Sequence, residues 1–352
     1  MKRLLPIFSL VVLILFPLTG YAEDTKESKG ITENEKRAGF TVQAVLPENQ
    51  INDRIGYYHL LMTPEQKQTI EVKIMNTSAE KQTYKVEVIN AATNKNGLIT
   101  YDERDKKPDK SMKLPIDKVA KPKTKEVSVD GYSEGKAEID IQTPKESFQG
   151  ILLGGIRISL KSEEKEDDSK GMSVKNTYGY AIGLILTEQN FAPVYGETDL
   201  KLVKLKPEID YGSKVLEASI QNPHPEAMQK LTAEGKIVRK GQKKSLADNK
   251  LENVKIAPNS VFPFQVDWGM QEVSAGDYTF IGETKTWDFK QDFTITREVA
   301  KKMNEQTAFR IFIPSWWTTS FYVMGTITAA LSAWLVIRLI KRKKGREMHE
   351  EE

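Results

Sequence analysis

Histidine, cysteine and serine are side chains that carry catalysis or hold metals in many proteins, but this sequence places none of them in a recognisable catalytic or metal-binding pattern. Its three histidines, His59, His224 and His349, lie far apart in the sequence. A metal site needs clustered ligands, so this spacing assembles none. The absence of cysteine excludes disulfides, thiolate metal sites and a cysteine nucleophile. We therefore expect neither a metal nor another cofactor.

Motifs of enzyme chemistry are missing as well. No glycine-rich phosphate loop ends in Lys-Ser or Lys-Thr, and no serine occupies a nucleophile elbow. Carboxylates on strands could pair for glycoside hydrolysis, but exposed strand faces carry them routinely. The acidic run 163–168 lacks the alternating ligands and central glycine of a calcium loop, which favours a plain hairpin tip. We predict no catalytic residues and no enzyme activity.

Charge is distributed unevenly along the chain. The formal net charge is +3, of which residues 1–22 contribute +2 and the tail from Arg338, with six basic and four acidic residues, another +2. The long region between them therefore carries −1. Nucleic-acid binding needs lysine and arginine clustered on a folded face, so we expect no nucleic-acid partner.

An uncharged run near the C-terminus predicts a membrane anchor. Residues 316–337 carry no charge, and about 20 apolar residues cross a bilayer as a helix, so we expect one transmembrane helix over 314–338. Aromatic residues suit the headgroup layer at its start, and positive charge stays inside at its end. The tail 339–352 should then be cytoplasmic and the preceding chain extracellular. These interface anchors are Trp316, Trp317, Tyr322, Lys341, Arg342, Lys343 and Lys344.

The N-terminus has the features of a signal peptide. Lys2 and Arg3 precede an apolar run, 10–16, that is short for a membrane span, and Gly20 and Ala22 place small residues where a signal peptidase cleaves. We predict that residues 1–22 are removed and that a flexible segment, 23–39, follows. The alternative is a retained N-terminal anchor.

Between these ends the sequence predicts β-strands. Residues 69–74 and 84–89 alternate strictly between apolar and polar types, which indicates an antiparallel pair. The run 150–160 is apolar enough for a central strand, and its three glycines indicate a bulge or a close backbone approach. The polar connection 94–125 is long for a compact β domain, so it is either functional or disordered.

A second series of strands begins at 178–187. Pro, Gly and Asn punctuate the gaps, and this spacing predicts an all-β chain of two immunoglobulin-like sandwiches in tandem. We expect the first domain over 40–165, the second over 171–296 and a juxtamembrane stalk over 297–313. The other strands expected in the second domain are 200–205, 215–220, 236–239, 261–268, 277–281 and 287–295.

The ordered features resemble a known family, the WxL-interacting proteins of Gram-positive surfaces. The first half is similar to their first domain in the runs Phe40–Gln50, Tyr57–Leu60 and Ala92–Tyr101. The second half is similar to their second domain in the runs Tyr178–Leu184, Gln221–Pro225, Ala257–Phe264 and Trp287–Phe289.

This resemblance implies a membrane-anchored adaptor. In the family, the first domain binds peptidoglycan, the second binds host extracellular matrix proteins, and the whole protein assembles with WxL-domain partners. The chain has no Trp-x-Leu triplet, so it corresponds to the interacting component. The alternative functions are an extracytoplasmic chaperone for secreted surface proteins and a cell-wall hydrolase.

Physical chemistry suggests where a wall polymer would bind. Peptidoglycan offers sugar rings, amides and carboxylates, which suit asparagine, an aromatic platform and lysine. One loop supplies these types, in Asn94, Asn96, Tyr101, Lys106 and Lys107. The competing interpretation makes 94–97 a type I′-like turn, in which Asn and Gly adopt positive φ. Both remain open from the sequence.

Overall fold

The computed structural model describes residues 39–102, 107–161, 178–189, 194–195, 199–283, 288–308 and 315–347. Nineteen strands and three helices are assigned within these ranges. They build two β units, each with its own buried apolar core, followed by a long apolar helix. The predicted class, all-β with one C-terminal helix, is confirmed. The predicted signal peptide lies outside the described residues.

The first unit consists of two sheets packed over one core. Its elements are β1 (Phe40–Val45), β2 (Tyr58–Leu61), β3 (Lys67–Asn76), β4 (Gln82–Asn90), β5 (Ala92–Thr93), β6 (Ile99–Thr100), α1 (Ile116–Val119), β7 (Ala120–Pro122), β8 (Glu126–Val129), β9 (Glu134–Gln142), β10 (Leu152–Leu160) and β11 (Gly179–Thr187). One sheet has the order β1-β3-β9-β7 and the other β2-β11-β10-β4-β8, while β5 and β6 form a separate hairpin.

In strands β3 and β4 the alternation of apolar and polar residues predicts the buried face but not the neighbouring strand. Ile70, Val72 and Ile74 of β3 are buried, as are Tyr84 and Val86 of β4, so the apolar faces were predicted correctly. The predicted pairing is wrong: β3 pairs with β1 and β9, whereas β4 pairs with β8 and β10. The two strands belong to opposite sheets because their apolar faces meet across the core rather than side by side.

The glycines of β10 mark close approaches, not a bulge. The register of β10 with β4 and with β11 is unbroken. A Cβ added at Gly154 would come within 2.4 Å of the Ile116 side chain and of the Ile89 carbonyl oxygen. Real Cβ atoms do not approach that closely, so α1 can pack on the sheet only because residue 154 lacks a side chain.

The prediction that 178–187 opens the second unit is wrong. This segment is β11, which pairs antiparallel with β10 and parallel with β2. Its Ile182, Leu184 and Leu186 are buried in the first core. The strand follows β10 in the chain and is apolar enough to be covered on both faces, so it completes the first sheet.

The second unit also contains two sheets over one core. Its elements are β12 (Val194–Tyr195), β13 (Lys201–Asp210), β14 (Ser213–Asn222), β15 (Ala227–Arg239), β16 (Ser245–Ile256), β17 (Ser260–Asp267), β18 (Gly276–Glu283), β19 (Asp288–Ile295) and α2 (Arg297–Gln306). One sheet has the order β12-β15-β18-β19 with β16 on β15, and the other β13-β14-β17. Aromatic side chains are among the largest in this core, namely Phe262, Phe264, Trp268, Tyr278 and Phe280.

Helix α2 occupies the first part of the predicted stalk and packs on the second unit. The Thr296 hydroxyl caps its N-terminus by accepting the Val299 N–H, and Ala300 and Met303 are buried in the second core. Residues 297–306 are therefore part of a packed structure. The last element is α3 (Ser315–Glu347), which covers the predicted transmembrane segment and continues into the basic tail.

Candidate functional site: two clefts between the domains

The β5–β6 hairpin carries two of the predicted binding residues, and its turn uses one of them. The Asn94 side-chain oxygen accepts the N–H groups of Asn96, at 3.0 Å, and Leu98, at 3.1 Å. Gly97 has φ +69°, but no positive φ is assigned to Asn96. A type I′ turn needs two such residues, so this is a turn with one left-handed glycine. Asn94 holds the turn, while the Asn96 side chain is exposed.

The same hairpin docks on the second unit. The Thr93 hydroxyl oxygen accepts the Ala257 N–H and lies 3.0 Å from the Ser260 hydroxyl oxygen. The Lys255 N–H donates to the Gly97 carbonyl oxygen at 2.7 Å. Thr93 is fully buried, so these hydrogen bonds are shielded from water and fix the hairpin between the domains.

Apolar packing reinforces this junction. A separate buried cluster draws Ile151, Leu153 and Ile185 from the first unit and Ala227 and Ala257 from the second. An apolar contact of this kind favours a fixed arrangement of the two domains over independent motion.

The end of the hairpin makes a charged contact with the second unit. The Lys95 ammonium group lies 2.6 Å from the Asp210 carboxylate and 4.4 Å from the centre of the Tyr211 ring. Lys95 was not among the predicted site residues, and its partners show that it binds the neighbouring domain.

Tyr101 lies flat on the outer face of the first unit. A Cβ added at Gly155 would come within 2.5 Å of its Cγ, and one at Gly183 would lie 3.5 Å from its hydroxyl oxygen. Burial, followed by the neighbouring Tyr57, raises the pKa of Tyr101 to about 12. The hydroxyl is therefore a neutral hydrogen-bonding group at physiological pH.

A cleft of about 650 Å³ opens beside Tyr101, and we call it the aromatic cleft. Tyr57, Leu98 and Ile99 from the first unit line it together with Gln229 and Lys255 from the second. Its volume lies within the range of about 300–1,000 Å³ that is typical of ligand sites. Aromatic rings with one amide and one cation can hold a sugar ring or a peptide group.

A second cleft, of about 610 Å³, lies between β4, the segment 107–125 and the second unit; we call it the charged cleft. Its lining includes Lys107, Lys125, Asp117, Asn90 and Asn259. With ammonium, carboxylate and amide groups on its walls, it can bind a ligand that carries both charges.

Asp109 lines the charged cleft and is hydrogen-bonded to the second unit. Its carboxylate accepts hydrogen bonds from the Ser111 N–H, the Ser111 hydroxyl and the Gln221 amide. Burial would raise the pKa of this carboxyl group, but these hydrogen bonds outweigh it and lower the pKa. Asp109 is therefore ionised and structural.

The structure thus divides the residues predicted to form one site. Tyr101 lies at the aromatic cleft and Lys107 at the charged cleft. The Asn94 side chain stabilises the hairpin turn, and Asn96 is exposed to solvent. Lys106 lies outside the described residues. Tyr57 and Lys125 were not predicted as site residues from the sequence, and neither was any residue of the second unit. The Tyr57-Tyr58 pair was a usable signal, because neighbouring residues at a strand edge face opposite sides.

Comparison with protein families decides the relationship. The peptidoglycan-binding domain of the WxL-interacting proteins matches residues 40–160, and their host-binding domain matches residues 169–305. Together the two matches cover most of the chain, in the family's order. The chain belongs to the WxL-interacting protein family.

The family boundary and the structural boundary of this WxL-interacting protein differ. The host-binding match begins at residue 169, yet β11, which follows that point, completes the sheet of the first unit. The matched host-binding region therefore supplies one strand, β11, to the sheet of the peptidoglycan-binding unit.

Other comparisons add little. No curated protein matches the chain. Among solved structures, the Escherichia coli chaperone DraB is 10% identical, with 72% of this chain and 95% of that chain covered and a TM-score of 0.28. The Pseudomonas aeruginosa CupB2 chaperone is 14% identical over 66% of this chain and 93% of that chain, with a TM-score of 0.26. Similarity this distant supports no conclusion about function.

The C-terminal helix of this family member has the properties of a membrane span. The stretch Thr319–Arg338 is long and apolar enough to cross a bilayer, and none of it is buried against the rest of the protein. Trp317 and Tyr322 near its start are exposed. Trp316 and the basic residues Lys341, Arg342, Lys343 and Lys344 lie within the same helix.

Proposed function

We propose that the chain is a membrane-anchored cell-surface adaptor. Its first domain binds peptidoglycan, its second domain binds host extracellular matrix proteins, and the assembled chain holds WxL-domain proteins at the surface. The observation that carries this proposal is the pair of family domains in order, followed by a single apolar helix. The basic residues after that helix support a cytoplasmic C-terminus and an extracellular N-terminal part.

We place peptidoglycan binding at the two clefts on either side of the β5–β6 hairpin. A sugar ring would stack on Tyr57 beside Tyr101 in the aromatic cleft, because Tyr57 lines this cleft and is 39% exposed. Stem-peptide carboxylates would contact Lys107 and Lys125 in the charged cleft, because both lysines line it and are exposed to solvent. Asn96, which is exposed at the turn of the hairpin, would extend this surface.

The second domain contributes to the same site. Gln229 and Lys255 line the aromatic cleft, and Asn259 lines the charged cleft. Wall binding would therefore require both domains in their docked arrangement.

A cell-wall pull-down with the full chain in detergent tests the proposal. Wild-type protein should be retained on purified peptidoglycan and should co-purify with a recombinant WxL domain at physiological salt. Y57A should weaken retention on peptidoglycan about fivefold or more, because truncating an interface tyrosine that contributes binding costs at least about 1 kcal/mol.

Matched variants test the location of the binding site separately from the binding function itself. K107A/K125A should also weaken retention on peptidoglycan, whereas Y132N, which removes an exposed tyrosine in the turn between β8 and β9, should bind like wild type. If wild type binds but neither cleft variant changes retention, the clefts are not the site. If the wild type binds neither peptidoglycan nor a WxL domain, the adaptor function is refuted.

A further inference from the structure

The second domain is hydrogen-bonded to the segment that leads into the membrane helix. After α2, the Thr307 hydroxyl and the Ala308 N–H both donate to the Gly212 carbonyl oxygen, at 2.8 and 3.0 Å. A Cβ added at Gly212 would come within 2.5 Å of the Ala308 Cβ. The β13–β14 turn therefore sits directly against the point at which the chain leaves the domain.

A second loop is held at the same end of the domain. The Trp268 N–H donates to the Lys214 carbonyl oxygen at 2.8 Å. The Asn304 amide of α2 donates to the Val273 carbonyl oxygen and accepts the Val273 N–H. These bonds fix residues 268–273 beside the β13–β14 turn, and we call residues 210–214 with 268–273 the exit tip.

The exit tip presents apolar side chains to solvent. Tyr211 is 92% exposed and Met270 is 66% exposed. Each lies next to a glycine with positive φ, Gly212 at +83° and Gly269 at +64°, so tight turns project them outward. The Asp267 carboxylate holds the second turn by accepting the Gly269 N–H at 2.7 Å.

The chain between the exit tip and the bilayer is short. From Ala308 to Ser315, where α3 begins, the sequence advances seven residues, which span at most about 25 Å. The membrane-crossing stretch starts soon afterwards, at Thr319. The tether keeps the exit tip close to the lipid surface, where even a weak contact is populated because its effective concentration is high.

We propose that the exit tip rests in the lipid headgroup layer, with Tyr211 and Met270 in contact with lipid. Tyrosine has an apolar ring and a polar hydroxyl, a combination that favours this layer, and the methionine side chain is apolar. The exposed acidic residues Asp267 and Glu272 flank Met270. The cation beside Tyr211, Lys95, is already paired with the Asp210 carboxylate. The contact is therefore apolar rather than electrostatic and should not need anionic lipid. It would fix the orientation of both domains on the membrane.

The absence of cysteine allows a direct test in the full chain. S274C places a fluorophore on an exposed residue beside the exit tip, and S133C places the same fluorophore on an exposed turn of the first domain as the control. Both variants are reconstituted into phosphatidylcholine nanodiscs with nitroxide-labelled headgroups. The probe at 274 should be quenched at least twofold more than the probe at 133.

Removal of the two apolar side chains distinguishes contact from mere tethering. Y211S/M270S in the S274C background should reduce quenching towards the control value, with the melting temperature showing that the domain remains folded. Equal quenching at 274 and 133 would refute the proposal. So would quenching at 274 that survives the double substitution, or that appears only with anionic lipid.

Discussion

Cutting the chain between the two family domains, after residue 168, removes β11 from the first sheet. That strand lies between β2 and β10, so the cut also removes the strand that joins β2 to the rest of the sheet. Ile182, Leu184 and Leu186 leave the first core, where they are at most 7% exposed. At about 1.5–3 kcal/mol for each buried side chain, the loss is roughly 5–9 kcal/mol.

A loss of this size matches the whole stability of a typical domain, about 5–15 kcal/mol. A fragment of residues 23–168 should therefore lack a cooperative unfolding transition. A fragment of residues 23–189 keeps β11 and should unfold cooperatively. Circular dichroism during urea titration provides the measurement, and both fragments should be compared with the full chain.

The refuting outcome is clear. If the 23–168 fragment unfolds cooperatively with the same midpoint as the 23–189 fragment, then β11 contributes little to the first unit. As a matched check in the full chain, L184A should lower the free energy of unfolding by about 2–5 kcal/mol, the usual cost of a buried leucine-to-alanine change.

Three further predictions concern the junction and the core. T93V should leave the Ala257 N–H without its acceptor and weaken docking of the domains by about 1–3 kcal/mol, seen as separated calorimetric transitions, whereas T93S should not. G155A should displace the Tyr101 ring and weaken retention of the protein on peptidoglycan, whereas T93S should be retained like wild type. If G155A is retained as well as wild type, Tyr101 is not part of the site. Burial lowers the pKa of His59, so this residue stabilises the fold above its unfolded pKa of about 6.5 and the stability is lost as pH falls below that value. H59Q should flatten the fall in melting temperature between pH 7 and 5, and an identical pH profile would contradict this assignment.

Much of the fold could be predicted because alternation and apolar runs report burial. β3, β4 and β10 were found in place, since the side chains that face the core repeat every second residue. Partner choice was not predictable, because the same alternation suits a neighbour in the sheet or a strand across the core. This is why β3 and β4 were paired wrongly and β11 was given to the wrong unit.

The missed elements have polar or short sequences. β16 carries Asp248, Lys250 and Glu252 at alternate positions, but its inward side is only partly apolar, so its periodicity is weak. The four residues of α1 are too few to show a helical period. α2 was expected as a stalk because only Ala300 and Met303 on one face are buried.

The candidate site was only partly accessible from sequence. The composition of the 94–125 connection identified Tyr101 and Lys107, because aromatic and basic residues in a loop suggest recognition. Tyr57 and Lys125 are distant in the sequence, and Gln229 and Lys255 come from another domain. Only the docking of the two domains brings these groups together, and no local pattern encodes that docking.

The contact between Lys95 and Asp210 gives the protein a short route for mechanical force. Asp210 is two residues from Gly212, which holds Ala308 at the start of the membrane tether. Tension applied by a wall polymer to the first domain would pass through the hairpin into this turn and then into the anchor. Most strands of the second domain lie outside this route. A partner bound to those strands could therefore pull on the second domain separately from the force that the wall polymer applies to the first.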